Sequence, residues 1–230
     1  AWTEENSEFL NGARIQKIQQ PTRREFVFTI RNNAQTRKFY VNINPQLHHL
    51  CFMSKENEAR RIIEIPQKPP MFCMLLRKYL ENSKICGVKQ PPYERILEFY
   101  IETYNELSEK IYLCLAIELM GKHSNIILYN DDTNVIIGCA HNVGAEKSSV
   151  REMAGTLPYI YPPKQIKSDI LNYNGEIDYN TLSNDFFWFS KSFASQCTDK
   201  PLCILCNRLG EVTSLWGNCT DDGNRTLCSI

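Results

Sequence analysis

Residues 117–130, IELMGKHSNIILYN, set two apolar runs on either side of Gly121, Lys122, His123, Ser124 and Asn125. With KIYLCLAIEL leading in and NIILYN leading out, the flanks have the apolar rhythm of β-strands. The stretch therefore reads as a hairpin whose turn carries a glycine, a cation, an imidazole, a hydroxyl and an amide in succession. Such a cluster can hold a phosphate, move a proton or simply turn a corner.

Two specific forms of that chemistry, a nucleotide phosphate-binding loop and a nucleophile with its base, lose their support locally. A phosphate-binding loop needs G-x-x-x-x-G-K-[ST], but the first glycine position is Ala116 and the residue after Lys122 is His123. A strand follows instead of a helix, so no helix N-terminus is aimed at an anion. His123 beside Ser124 does not make a nucleophile and its base either, because neighbours along a strand point to opposite faces. Gly121 can supply a positive φ or admit another backbone at close range. Two readings stay open: a sheet rim equipped for RNA phosphates and base edges, or a structural turn.

Outward from this stretch the same rhythm recurs. EENSEFLNG looks like a helix end closed by Gly12 at C′. ARIQKIQ, EFVFTIR and KFYVNIN alternate as half-buried antiparallel strands, separated by Pro21 and the NNAQ turn. In EIPQKPPMFCMLLRKYLENSK the prolines forbid a central strand, Pro70 can open a helix at N1, and Met71, Met74, Leu75 and Leu80 fall on one helical side. KICGVKQ, RILEFYIETY and VIIGCA return to strand, with NDDTN as a hairpin turn. EKSSVREMAGTLPYIYPP reads as an ordered loop, and residues 183–196 as a short amphipathic helix with Phe186, Phe189 and Phe193 on one side. The fold class is α+β: a mostly antiparallel β-sandwich with flanking helices.

A chain of 230 residues can bury a real core, and its 43% hydrophobic and 23% charged shares are those of a soluble globular protein. The zero net charge hides an asymmetry. Residues 11–95 carry sixteen Lys/Arg against six Asp/Glu, whereas residues 168–230 carry four against eight. A basic front part points to a polyanionic partner. No signal-peptide pattern opens the sequence, and the longest apolar stretch, residues 111–120, contains Glu118 and is too short for a membrane span, so a cytoplasmic protein is expected. Beginning at Ala1, the sequence reads as a trimmed piece of a longer one. Cys51, Cys73, Cys86, Cys114 and Cys139 sit singly in apolar stretches and read as buried reduced thiols. The tail holds five more, of which only Cys203 and Cys206 have C-x-x-C spacing. Zinc needs a second close pair, so no metal and no cofactor is expected.

Taken in order, LNGARIQKIQQPTRREFVFTIR, PPMFCMLLRKYL, KQPPYERILEF, IELMGKHSNIILYN and REMAGTLPYIYPP closely resemble the N-terminal (NFACT-N) domain of the RqcH/NEMF/fibronectin-binding-protein-A-like family, over residues 8–167. The resemblance implies a fold similar to the N-terminal domain of Fpg/Nei DNA glycosylases. It implies a role in ribosome-associated quality control, in which such proteins bind a large ribosomal subunit holding peptidyl-tRNA, recruit tRNA and promote untemplated C-terminal tailing of the stalled chain. The family's Asp-Arg dipeptide, important for tRNA engagement, falls on Glu94 and Arg95, with one extra methylene on the carboxylate. The MGKHSN block, with Gly121, Lys122, His123, Ser124 and Asn125, resembles part of a tRNA-facing surface. Arg77 and Arg151 are weaker candidates, and Lys78 is better read as a solvated charge. REMAG has Ala154 where the family tends to have Pro, which leaves that turn less rigid.

The expected organisation is an RNA-binding domain over residues 1–170 and a helical, cysteine-rich tail over 171–230. The expected partners are tRNA and the large ribosomal subunit, with no catalysis, no membrane and no small-molecule substrate. Two other functions follow from the same resemblance. A DNA glycosylase would need an N-terminal Pro-Glu, whereas this chain starts Ala1-Trp2-Thr3. A fibronectin-binding adhesin would need a route to the cell surface.

Overall fold

The computed structural model describes residues 2–60, 66–144, 146, 151–164, 166–168 and 180–187. Thr3–Pro162 form one compact unit, and Ala1–Trp2 with Pro163–Ile230 form the other. The first helix, α1 (Trp2–Leu10), ends as its sequence suggests, with Gly12 at φ +81° and the Ala13 N–H donating to the Leu10 carbonyl at 3.0 Å. Strands β1 (Arg14–Thr22), β2 (Glu25–Asn32), β3 (Gln35–Asn42) and the short β4 (His49–Phe52) follow as an antiparallel meander. Pro21 is not between strands but inside β1, where a register shift between Gln19 and Thr22 spares the ladder the missing N–H.

After α2 (Lys55–Arg60), α3 (Met71–Leu80) begins with Pro70 as its N-cap, one position earlier than N1. Cys73, Leu76 and Leu80 form its buried stripe at i, i+3, i+7, while Met71 and Met74 are 85% and 50% exposed. The helix lies on the sheet through Phe72 against Phe26, and a Cβ on Gly138 would come within 2.9 Å of Leu75 Cδ1. Strands β5 (Lys84–Lys89), β6 (Ile96–Tyr104), β7 (Lys110–Glu118), β8 (Asn125–Asn130) and β9 (Ile136–Cys139) form a second antiparallel meander.

All nine strands belong to one sheet, in the order β4-β3-β2-β1-β5-β6-β7-β8-β9. Its two halves meet in the ladder at one residue pair, Arg14 opposite Lys84, flanked by main-chain hydrogen bonds of Gly12 and Ala13 with Ile85 and of Ile15 with Asn82 and Ser83. Four strand spacings of about 4.8 Å would separate β3 from β6 in a flat sheet. Yet the rings of Phe39 on β3 and Phe99 on β6 are 5.4 Å apart, both buried. The sheet is therefore folded over, and the sandwich expected from alternation is one continuous open sheet whose two halves pack on each other.

In the second half, β6, β7 and β8 are buried on both faces along much of their length. Ile96, Cys114, Ala116, Ile127 and Tyr129 line a core covered by Met153 and Tyr159 from the loop after β9. That loop is tied by bridges Val143↔Met153 and Val135↔Pro158. In the other unit, α4 (Leu182–Asp185) stops at Phe186, which is extended and buried and forms a bridge with Ser168. The helix expected over 183–196 is thus four residues long in its described part, and its remainder lies outside the described residues, as do the tail cysteines. Of the other five cysteines, Cys73, Cys114 and Cys139 are buried, but Cys86 is exposed and Cys51 half-buried, because both sit on strand faces the core does not cover. Among the described residues no helix is long and apolar enough to cross a membrane.

Candidate nucleic-acid interface

The 117–130 stretch folds as a hairpin, with Glu118 of β7 opposite Asn125 of β8. Its turn is a single 3-10 turn over Gly121–His123, entered by Gly121 at φ +59°, a conformation that L-residues rarely adopt. Ser124 and Asn125 are not displayed on the rim: they are 5% and 1% exposed. The Ser124 hydroxyl accepts from the Met120 N–H at 2.9 Å and closes the turn. The Asn125 amide donates to the His141 carbonyl at 2.8 Å and accepts from the His141 N–H at 3.0 Å, stapling the chain after β9 to the turn. The sequence offers both for nucleotide contact, but the fold spends both on shaping the turn, since a buried amide must be satisfied inside the chain. Lys122 and His123 are exposed.

Arg95 precedes β6, and its carbonyl accepts from the Leu119 N–H at 2.9 Å, which sets it beside the start of the same turn. Glu94 is half-buried next to it, with its N–H on the Pro91 carbonyl and its carbonyl receiving the Gln90 amide at 3.0 Å. Tyr93, at φ +62°, makes this bend tight.

The fold-over adds groups that the sequence pattern does not connect. A Cβ on Gly121 would lie 3.8 Å from the Pro45 carbonyl oxygen, so the β3–β4 loop rests against the β7–β8 turn. That loop carries His48 and His49. Burial, reinforced by the charge of Arg95, holds the His48 imidazole below the usual histidine range. On the far side, the Arg24 carbonyl accepts from the Ile43 N–H at 2.8 Å, placing the β1–β2 turn with Arg23 and Arg24 at the same end. His141 is likewise held low, by burial first and then by Arg24 and Arg23. Five turns thus converge with Arg23, Arg24, Arg95 and Lys122, together with all four histidines of the chain. Among the described residues, none of these four cations has a carboxylate within ion-pair distance.

Arg77 and Arg151 are not part of this end. Arg77 donates from Nε to the Ile18 carbonyl at 2.8 Å in mid-β1, and its guanidinium locks α3 to the sheet. Arg151 forms a fork-to-fork pair with Glu118, through Nη1–Oε1 at 3.0 Å and a short Nη2–Oε2 contact, with side chains 8% and 0% exposed. It also donates to the Ile160 carbonyl at 2.8 Å, and Tyr159 donates to Glu118 at 2.9 Å. Its charge is answered by Glu118 and both of its terminal nitrogens are engaged inside the fold. Arg23, Arg24, His48, His49 and His141 escaped the sequence reading. Their signal was positional: within each meander the relevant turns alternate, and alternate turns of antiparallel strands share an end.

These features define a mostly antiparallel α+β domain with one cationic end built from turns. The chain belongs to the family described as NFACT N-terminal and middle domains, whose model matches residues 1–196. It is 35% identical over 165 residues to the Rqc2 homolog RqcH of Bacillus subtilis, a match covering 72% of this chain and 28% of that protein. It is 36% identical over 157 residues to the Rqc2 homolog RqcH of Streptococcus pneumoniae, covering 68% and 27%. The chain thus spans a little over a quarter of these relatives. Among solved structures, the N-terminal part of the fibronectin/fibrinogen-binding protein of Streptococcus suis matches with TM-score 0.73 at 30% identity, covering 86% of this chain and 75% of that one. The N-terminal domain of the fibronectin-binding protein PavA of Streptococcus pneumoniae matches with TM-score 0.76 at 27% identity, covering 92% and 80%.

Proposed function

We propose that this chain is the RNA-binding N-terminal part of a ribosome-associated quality control factor, engaging tRNA on a large ribosomal subunit that holds peptidyl-tRNA and supporting C-terminal tailing of the stalled chain. It acts by binding, in the cytoplasm, without bond-making chemistry of its own. The observation that carries this is the gathering of Arg95, Lys122, Arg23 and Arg24 at one end with no carboxylate partner among the described residues. Cations left unneutralised beside main-chain turns suit a phosphate backbone, and the guanidinium of Arg95 can clamp a phosphate or a base edge. Glu94 precedes that clamp in the tight bend set by Tyr93, while Gly121, Ser124 and Asn125 fix the shape of the turn that presents Lys122 and His123. Membership of the NFACT family and the similarity to RqcH proteins support the choice of tRNA and ribosome over other polyanions.

The test is equilibrium binding of tRNA across a salt series. Affinity should fall steeply with salt, and Arg95→Ala should weaken it by about 10- to 100-fold, the loss of about 1.5–3 kcal/mol expected for hydrogen bonds to a charged group. The salt slope should become shallower, since the variant neutralises one phosphate fewer and so displaces fewer condensed counterions from the RNA. Tight binding to fibronectin with no salt-dependent binding to tRNA would favour the adhesin instead.

A further inference from the structure

We infer that Tyr93 is a stacking platform for a nucleobase, so that the cationic end takes an unpaired stretch of RNA and holds it through a base as well as through phosphates. This rests on the RNA-binding function proposed above and names the part of the RNA that the end receives. Tyr93 has φ +62°, a conformation in which the Cβ of a bulky residue crowds its own backbone. Six non-glycine residues among the described ones have positive φ, and three of them are asparagine, whose short side chain tolerates it; Tyr93 is the only aromatic. A glycine or an asparagine would make the same bend with less strain, so the bend alone does not account for a tyrosine there. The core does not account for it either, because the residue is 45% exposed. Leu47, on the β3–β4 loop that rests against Gly121, is 56% exposed, so this end displays apolar surface among its cations.

Tyr93 is two residues before Arg95, which limits their Cα separation to about 7 Å. The Arg95 carbonyl accepts from the Leu119 N–H at 2.9 Å, and Leu119 leads into the turn that carries Lys122. Main-chain groups hold the bend: the Glu94 N–H donates to the Pro91 carbonyl at 3.1 Å, and the Gln90 amide donates to the Glu94 carbonyl at 3.0 Å. Pro91 and Pro92 stiffen the approach to it. An aromatic ring carried on a held bend, next to a guanidinium fork, suits one nucleotide: the fork takes its phosphate and the ring lies against its base. A base inside a duplex has both faces covered by its neighbours, so an unpaired nucleotide is the one that offers a face. Stacking involves no phosphate, so its contribution does not depend on salt, unlike that of Arg95.

The experiment compares wild type, Tyr93→Asn and Tyr93→Phe in equilibrium binding of unfractionated deacylated tRNA across a salt series. Asparagine tolerates the same backbone conformation without the ring, whereas phenylalanine keeps the ring without the hydroxyl. Tyr93→Asn should bind about 5- to 100-fold more weakly, the loss of one base–aromatic stack, with the salt slope of wild type. Tyr93→Phe should stay within about twofold of wild type. Short-wave ultraviolet irradiation of the wild-type complex, which needs no variant, should attach a nucleotide to the tryptic peptide of residues 90–95. Wild type should also prefer a single-stranded RNA of mixed sequence to a duplex of the same length. A folded Tyr93→Asn that binds like wild type, an equal loss in Tyr93→Phe, crosslinks that all lie outside residues 90–95, or equal binding of the duplex overturns the stack and leaves RNA binding at the cationic end standing. Absence of salt-dependent RNA binding in wild type overturns both.

Discussion

Glu118 and Lys122 are four residues apart, yet they end in opposite regimes. Glu118 closes β7 under the loop after β9, fully buried, with the Arg151 fork and the Tyr159 hydroxyl on its carboxylate. On the neighbouring strand β6, Glu98 is buried in the same layer and receives the hydroxyls of Tyr100 and Tyr129, each at 3.2 Å, and of Tyr161. Tyr129 and Tyr159 stack at 4.4 Å between the two carboxylates. This is a closed network in which donors and acceptors answer one another, and burial drives the Tyr129 and Tyr159 hydroxyls far above the ordinary phenol range. The turn holding Lys122 is the reverse: its main chain is satisfied, and its charges are left open. Whether a charged residue builds the molecule or serves a partner is decided by whether its groups are answered inside the chain.

Glu118→Ala should break the closed region most severely. It strands a buried guanidinium, and a loss of about 3–5 kcal/mol in urea unfolding is expected. Adding Arg151→Met should restore much of it, because the unpaired charge is then gone. If the double variant were as unstable as the single one, the contrast between answered and open charges would be wrong. Arg95→Ala should show the complementary pattern, with the fall in tRNA affinity given above and stability within about 0.5 kcal/mol of wild type. Tyr161→Phe removes one of three hydroxyls from Glu98 and should cost about 1 kcal/mol, with no change in RNA affinity.

The smallest effect concerns pH and separates the regions most finely. His48 and His141 have folded pKa values below their unfolded ones, so the unfolded chain binds protons more readily than the folded one. Their contribution to stability is therefore present above the unfolded value of about 6.5 and is lost as pH falls through the folded values. Urea midpoints should decline from pH 7.5 to 5.5 by less in His48→Gln/His141→Gln than in wild type.

Much of the architecture was legible. Period-two alternation located eight of the nine strands, because each lies against a core on at least one face. The missed strand, β4, is four half-buried residues, too few to show a period. Alternation also contains Glu98 and Glu118 as carboxylates on an apolar face, at 98 opposite Ala116 and 118 opposite Ile96. Sequence alone did not reveal that the loop from 151 to 161 would bring an arginine and two tyrosines to meet them. Arg151, a candidate for RNA by its charge and position in a loop, is instead the partner of Glu118.

The order of strands and turns, the positive-φ glycine of the hairpin and the basic character of the front part are local or additive properties, and the sequence by itself determined them. Which charges share an end was decided only by the tertiary structure. Arg14 and Lys84 join the half-sheets at the starts of two antiparallel strands, so a flat sheet would send the β1–β2 turn and the Arg95 bend in opposite directions. Burial of Phe39 against Phe99 folds the sheet over and brings those ends together. Apolar contact between distant strands thus assembles the cationic surface, and no window of sequence contains both sides of it.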